Sequence, residues 1–141
     1  MKEGLPPGLE QTLKFTVTRE KTVPHLYPES DCFRVMPDVF ATGFMVGFME
    51  WSCMEALKPF LEENERTVGT LIHVTHEAAT PIGMEVSATV RCMEFDGRKS
   101  LWEIVARDEI DIIGRGTHER FLIDSAKFTQ RLNAKAAKAK P

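Results

Sequence analysis

Residues 40–58, FATGFMVGFMEWSCMEALK, decide the fold. Pro37 and Asp38 suit a helix start before them, and Pro59 suits its end. Phe44, Met45, Val46, Phe48, Met49, Trp51, Met54 and Leu57 fall all round the helical circumference. A helix apolar on every side is expected to be buried on every side. Gly43 and Gly47 lie one turn apart, where they would let a neighbouring backbone come close. Each glycine costs a helix about 1 kcal/mol relative to alanine, so close packing accounts for having two.

Before this helix, residues 20–38 hold Pro24, Pro28 and Pro37 among Leu26, Tyr27, Phe33 and Met36. Proline at this density prevents a long helix, and the apolar residues predict a structured loop or lid with one short helical turn. Residues 10–19 alternate at Leu13, Phe15 and Val17, the pattern of a strand with one buried face. Residues 1–9 read as a loose lead-in. After the helix, residues 68–79, 84–95, 99–107 and 110–123 read as strands, with turns at Pro81-Ile82-Gly83 and Asp96-Gly97. The tail, residues 131–141, is rich in Ala and Lys and either extends a helix or frays.

The order is strand, loop, one long buried helix, then four strands expected in a meander. It predicts an α+β fold with an antiparallel sheet wrapped on the helix. One small sheet cannot cover a helix on all sides, so the sheet must curve strongly or a second subunit must contribute. A chain of 141 residues fits one domain, with about 1–9 and 129–141 peripheral. A net charge of -3 is a poor footprint for a nucleic-acid backbone. No apolar run approaches bilayer-spanning length, and the start lacks the apolar stretch of a secretory signal. Cys32, Cys53 and Cys92 suggest reduced thiols and a cytoplasmic home.

Glu50 is the only charged residue between Val39 and Met54. A carboxylate in that setting needs a partner. A wet helix face, a structural hydrogen bond and catalysis would each supply a reason for it. His76 shares a face with Ile72, Val74 and Ala78 if residues 71–79 form a regular strand. It then points toward the helix, as a core histidine or as an acid–base partner for Glu50. Thr42, at the helix start, suits a cap. It stands eight residues from Glu50, about 12 Å along a helix, so a third group or a partner subunit must unite them.

His73, His76 and Glu77 look like a metal cluster. Positions three apart in a strand face opposite sides, so no metal is expected, and no cofactor motif is visible. Cys53 stands one turn from Glu50, as a nucleophile or a small buried hydrophobe. Gly114-Arg115-Gly116 reads as a bulge or a close approach. His118 could be recruited to the His73, His76 and Glu77 cluster, but nothing fixes it.

These residues together resemble a known family. Phe40 to Trp51 (FATGFMVGFMEW) is similar to the central helix of the fluoroacetyl-CoA thioesterase family. So are His25 to Ser30 (HLYPES), Gly69-Thr70, Val74-Thr75-His76 and Gly116 to Arg120 (GTHER). The resemblance runs over roughly residues 10–128. It implies a hotdog fold, a homodimer and hydrolysis of acyl-CoA thioesters, with Thr42, Glu50 and His76 as catalytic residues. By the same resemblance Gly69 would sit near the thioester carbonyl and Arg120 would help hold the substrate. The lid stretch Phe33-Arg34-Val35-Met36 ends in methionine where the family has phenylalanine. Methionine is more pliable than a ring, so a short acyl-CoA in general is expected, fluoroacetyl-CoA or a similar small ester among them. A non-catalytic acyl-CoA binding protein and a hotdog enoyl-CoA hydratase or dehydratase are the alternatives.

Overall fold

Strict alternation in the second half of the chain builds the sheet. In the computed structural model, which describes residues 1–2 and 4–139, strand β3 (Glu85–Phe95) buries Val86, Ala88, Val90 and Cys92. Strand β4 (Lys99–Arg107) buries Ser100, Trp102, Ile104 and Ala106. Both rows face one long helix, α2 (Thr42–Leu57), whose Met45, Phe48, Met49, Cys53, Ala56 and Leu57 complete the core. Asp96 closes the β3–β4 hairpin by accepting from the N–H groups of Arg98 and Lys99. Glu3 and the last two residues of the 129–141 tail lie outside the described residues.

Among the described residues five strands form one antiparallel sheet in the order β1-β3-β4-β5-β2, with β1 at Glu10–Thr16, β2 at Glu65–Val74 and β5 at Ile112–Asp124. This sheet around one central helix is the expected hotdog arrangement. The four-strand meander is not observed. Only β3, β4 and β5 follow one another across the sheet, while β2 joins the far edge beside β5. The reason lies in residues 75–84, which leave β2 and cross the mouth where the chain enters α2. There Val39 bridges Pro81, and the Phe40 N–H donates to the Thr80 carbonyl.

The helix is not buried on every side within one chain. Gly43, Gly47, Trp51 and Met54 form an open stripe, with Trp51 44% and Met54 46% exposed, because a single sheet covers only the opposite face. Gly43 meets the Leu26 side chain rather than a backbone, and Gly47 faces open space. The lid region holds two 3-10 turns (Arg19–Lys21 and Val23–His25) and a short helix, α1 (Asp31–Arg34). The expected loose lead-in is anchored at its described residues: Leu5 is buried in the core, and the Lys2 N–H donates to the Phe60 carbonyl. A last helix, α3 (Ser125–Ala139), carries the tail onward from β5 with no buried residue.

Candidate active site

The chain enters α2 through Ala41, which occupies the N-cap position without any side-chain capping bond. Thr42 is therefore the first helical residue rather than the cap, and its hydroxyl turns elsewhere. Thr42 Oγ1 lies 2.6 Å from Nδ1 of His76. Burial holds the His76 pKa below the ordinary imidazole value, with the Ala78 main chain pulling the other way. Its Nε2 is buried and has no hydrogen-bond partner among the described residues. A neutral ring that accepts the Thr42 proton at Nδ1 carries its own proton on Nε2.

His76 lies two residues past the end of β2, not within a regular strand. The apolar face assigned to it is not intact either, since β2 is an edge strand and Ile72 stays exposed. Its position comes instead from the main chain on either side. The Thr75 N–H donates to the Arg115 carbonyl and the Glu77 N–H to the Ile113 carbonyl. This approach needs glycine on β5: a Cβ at Gly114 would strike the Thr75 carbonyl oxygen, and one at Gly116 the His73 carbonyl oxygen. Outside this segment, Arg115 donates to both Glu77 carboxylate oxygens, at 2.8 Å each. Those bonds, with one from Thr75, draw the Glu77 pKa down to about 2.

Glu50 stands two turns further along α2. Its Oε1 accepts from Nη1 of Arg120 at 3.1 Å. The Arg120 side chain is 3% exposed and that of Glu50 39%. Nε and Nη2 of Arg120 donate to the hydroxyl and carbonyl of Thr67, at 2.9 Å each, and Nη1 also reaches Nε2 of His118 at 3.1 Å. A cavity of about 250 Å³ opens beside this group, lined by Val46, Glu50, Gly69, Leu71, Ile72 and His118 among others. Gly69 shares a face of β2 with Thr67 and points toward Glu50, where a Cβ would lie 2.7 Å from Oε1.

Within one chain the three expected catalytic residues thus fall into two groups. Thr42 pairs with His76, and Glu50 joins Arg120 and His118 about 12 Å along the helix. Glu50 does meet an imidazole from the sheet, but it is that of His118, through Arg120. Arg120, expected to hold substrate, is instead buried behind Glu50 with every guanidinium nitrogen hydrogen-bonded. Phe33 packs its ring near Tyr27, at 5.7 Å, and Met36 is 47% exposed; neither lines the cavity beside Glu50. Larger cavities of about 520 and 630 Å³ follow the open face of α2 past Trp51, away from Thr42, Glu50 and His76. Cys53 is a small buried hydrophobe: burial raises its thiol pKa far above neutrality.

A family model for a fluoroacetyl-CoA-specific thioesterase matches residues 17–126. The chain belongs to this family. It is 49% identical over 135 residues to the fluoroacetyl-CoA thioesterase of Streptantibioticus cattleyicolor, a match covering 96% of this chain and 97% of that protein. It superposes on a solved structure of the fluoroacetyl-CoA thioesterase FlK with a TM-score of 0.90 at 48% identity, covering 99% of this chain and 100% of that one. A thioesterase superfamily member from Thermus thermophilus superposes with a TM-score of 0.82 at 30% identity, over 96% of this chain and 97% of that one.

This thioesterase therefore presents a threonine hydroxyl on a neutral imidazole and, further along the same helix, a carboxylate beside a cavity. These groups have the right chemistry for acyl transfer, which needs an oxygen nucleophile, a proton carrier and donors for a developing oxyanion. The sequence reading left His118 without a role. The available signal was its spacing from Arg120, since residues two apart in a strand share a face, and here both face the helix.

Proposed function

We propose that this chain hydrolyses short-chain acyl-CoA thioesters to the free acid and CoA, with Thr42, Glu50 and His76 as catalytic residues. The observation that carries this is the 2.6 Å contact between Thr42 Oγ1 and His76 Nδ1. It joins a hydroxyl freed from capping to a ring kept neutral by burial. His76, through Thr42, takes a proton from the attacking water, or from Thr42 when its own oxygen attacks, and returns it to the departing CoA thiolate. Glu50 either balances the charge that develops on His76 or attacks the carbonyl itself; on either covalent route, water deprotonated by His76 then cleaves the acyl intermediate to the free acid. N–H groups in the first turn of α2 are unused by the helix and supply donors for the oxyanion.

The working unit is a homodimer. Two features support it: the open stripe of α2 around Trp51, and the edge strand β2 with Leu71 and Ile72 exposed. Two-fold pairing over these surfaces would carry Glu50 of one subunit toward the Thr42–His76 pair of the other, giving two equivalent shared sites. Phe33 and Met36 would then close over the acyl group, Gly69 would face the thioester carbonyl, and Arg120 would act on substrate only through Glu50. Methionine at the lid favours small acyl groups without demanding fluorine. Three free thiols suit a cytoplasmic setting, and among the described residues no helix is long and apolar enough to cross a membrane.

The test is a panel of acyl-CoA esters, with acetyl-CoA and fluoroacetyl-CoA included and free thiol as the readout. Turnover of the short esters, lost in His76→Ala, is expected. Saturable binding of the esters with no thiol released would contradict the proposal.

A further inference from the structure

The mechanism leaves the buried imidazole of His118 unused, and the structure fixes its proton. His118 is 1% exposed and sits on the helix-facing side of β5. Its Nδ1 lies 2.7 Å from the Leu71 carbonyl oxygen. A carbonyl has no proton to give, so Nδ1–H is the donor. Nε2 faces Nη1 of Arg120 at 3.1 Å, and a guanidinium can only donate. Nε2 must therefore carry a lone pair, and the ring is neutral in one tautomer. Arg120 Nη1 has two hydrogens. One goes to His118 Nε2 and the other to Glu50 Oε1.

We infer that His118 is a positioning residue for the hydrolysis: by accepting from Arg120 it aims the remaining Nη1 hydrogen at Glu50 and so sets the carboxylate in the cavity. The inference rests on the thioesterase reading above. Thr67 holds the other edge of the guanidinium through its hydroxyl and carbonyl, so His118 and Thr67 grip Arg120 from two sides. Gly69 leaves the room: a Cβ there would lie 2.7 Å from Glu50 Oε1 and 3.1 Å from His118 Cε1. The charged groups around the ring are Arg120 and Glu119 from its own strand and Glu50 from α2. Burial and the Arg120 charge oppose a second proton on the ring, while the Leu71 carbonyl and the two carboxylates favour one. A doubly protonated ring would lose the acceptor and set a second cation against Arg120.

Two substitutions separate aiming from mere packing. His118→Gln places an amide oxygen near the Nε2 position and keeps an acceptor for Arg120. His118→Asn keeps a donor toward Leu71 and loses that acceptor. If His118 positions Glu50, the Asn variant loses about 10- to 100-fold in kcat with KM within about three-fold, the scale expected when a reacting group is displaced. The Gln variant recovers kcat to within about five-fold of the parent at similar Tm. Parental kcat in the Asn variant would overturn the inference, as would equal losses in both variants that track Tm. A second reading needs no turnover. Long-range ¹H–¹⁵N spectra of the ring, assigned with the Asn variant, should show Nδ1 protonated and Nε2 bare at pH 7.5. A proton on Nε2 would overturn the chain of bonds whatever the activity. A parent protein that releases no CoA from any ester would instead sink the thioesterase reading and, with it, the catalytic purpose of the chain, while the spectra still report whether the bonds exist.

Discussion

Gly69 and Glu50 compete for one space: a Cβ on Gly69 would lie 2.7 Å from the Oε1 that Arg120 holds. That is closer than a methyl group and an oxygen can sit, so either the carboxylate or the strand must move. Gly69→Ala is expected to lower kcat by about 10-fold or more through displacement of Glu50 and to destabilise the fold by about 1–3 kcal/mol through overpacking. Steady-state kinetics with urea denaturation checks both. An alanine variant with parental kcat would show that Glu50 has another productive position.

Thr42→Ala separates chemistry from capping. A lost threonine cap costs about 1 kcal/mol, but Thr42 is not the cap and makes no capping bond. The variant should keep its Tm within about 2 °C, since a change of 1 kcal/mol moves Tm by several degrees. Its kcat should fall by about 100-fold. Calorimetry beside a thiol-release assay reads both, and a large Tm loss would restore the capping role.

Gly114 and Gly116 hold His76 in place without touching it. Their missing side chains let the carbonyls of Thr75 and His73 lie against β5, and backbone cannot retreat as a flexible side chain can. Gly116→Ala is expected to cost about 2 kcal/mol or more and to reduce activity beyond what the stability loss explains. Denaturant titration and kinetics at a temperature where the variant is fully folded separate the two effects.

Stability should depend on pH in two windows. His76 and His118 both have pKa values held below 6.5, chiefly by burial. The unfolded chain therefore binds more protons than the native one just below that pH, and stability falls as pH drops through the imidazole range. Glu77 behaves as a depressed carboxylate: its contribution is present above 4.5 and is lost as pH falls toward 2. Urea titrations from pH 8 to pH 3 should show a first decline near 6.5, reduced in His118→Asn, and a second below 4.5, reduced in Glu77→Gln. A flat profile between 8 and 5 would contradict the neutral rings.

Much of this molecule could be read in advance, and the failures have physical causes. The helix and strands showed in periodicity and turn residues because those signals are local. The position of β2 did not, because nothing local states which sheet edge a returning strand joins. Glu50 and His76 stood out as polar groups at apolar positions, whereas Thr42 read as a cap and took a catalytic role only from the family resemblance. His76 lies near the helix without a regular strand beneath it, since β2 ends at Val74 and glycines on β5 do the placing. Gly114-Arg115-Gly116 read as a bulge or a close approach, and the close approach is what the structure holds. Arg120 entered only through family resemblance, and its burial against Thr67, His118 and Glu50 depends on strands distant in sequence.

If Glu50 of one subunit serves the Thr42–His76 pair of its partner, two inactive variants should complement each other. Glu50→Gln and His76→Ala are each expected to be inactive as homodimers. Unfolded together in equal amounts and refolded, half the molecules should be heterodimers. Each heterodimer would hold one intact shared site, so about a quarter of parental activity should return. No recovery, with heterodimers confirmed by mass spectrometry, would place the whole site within one subunit and contradict the account.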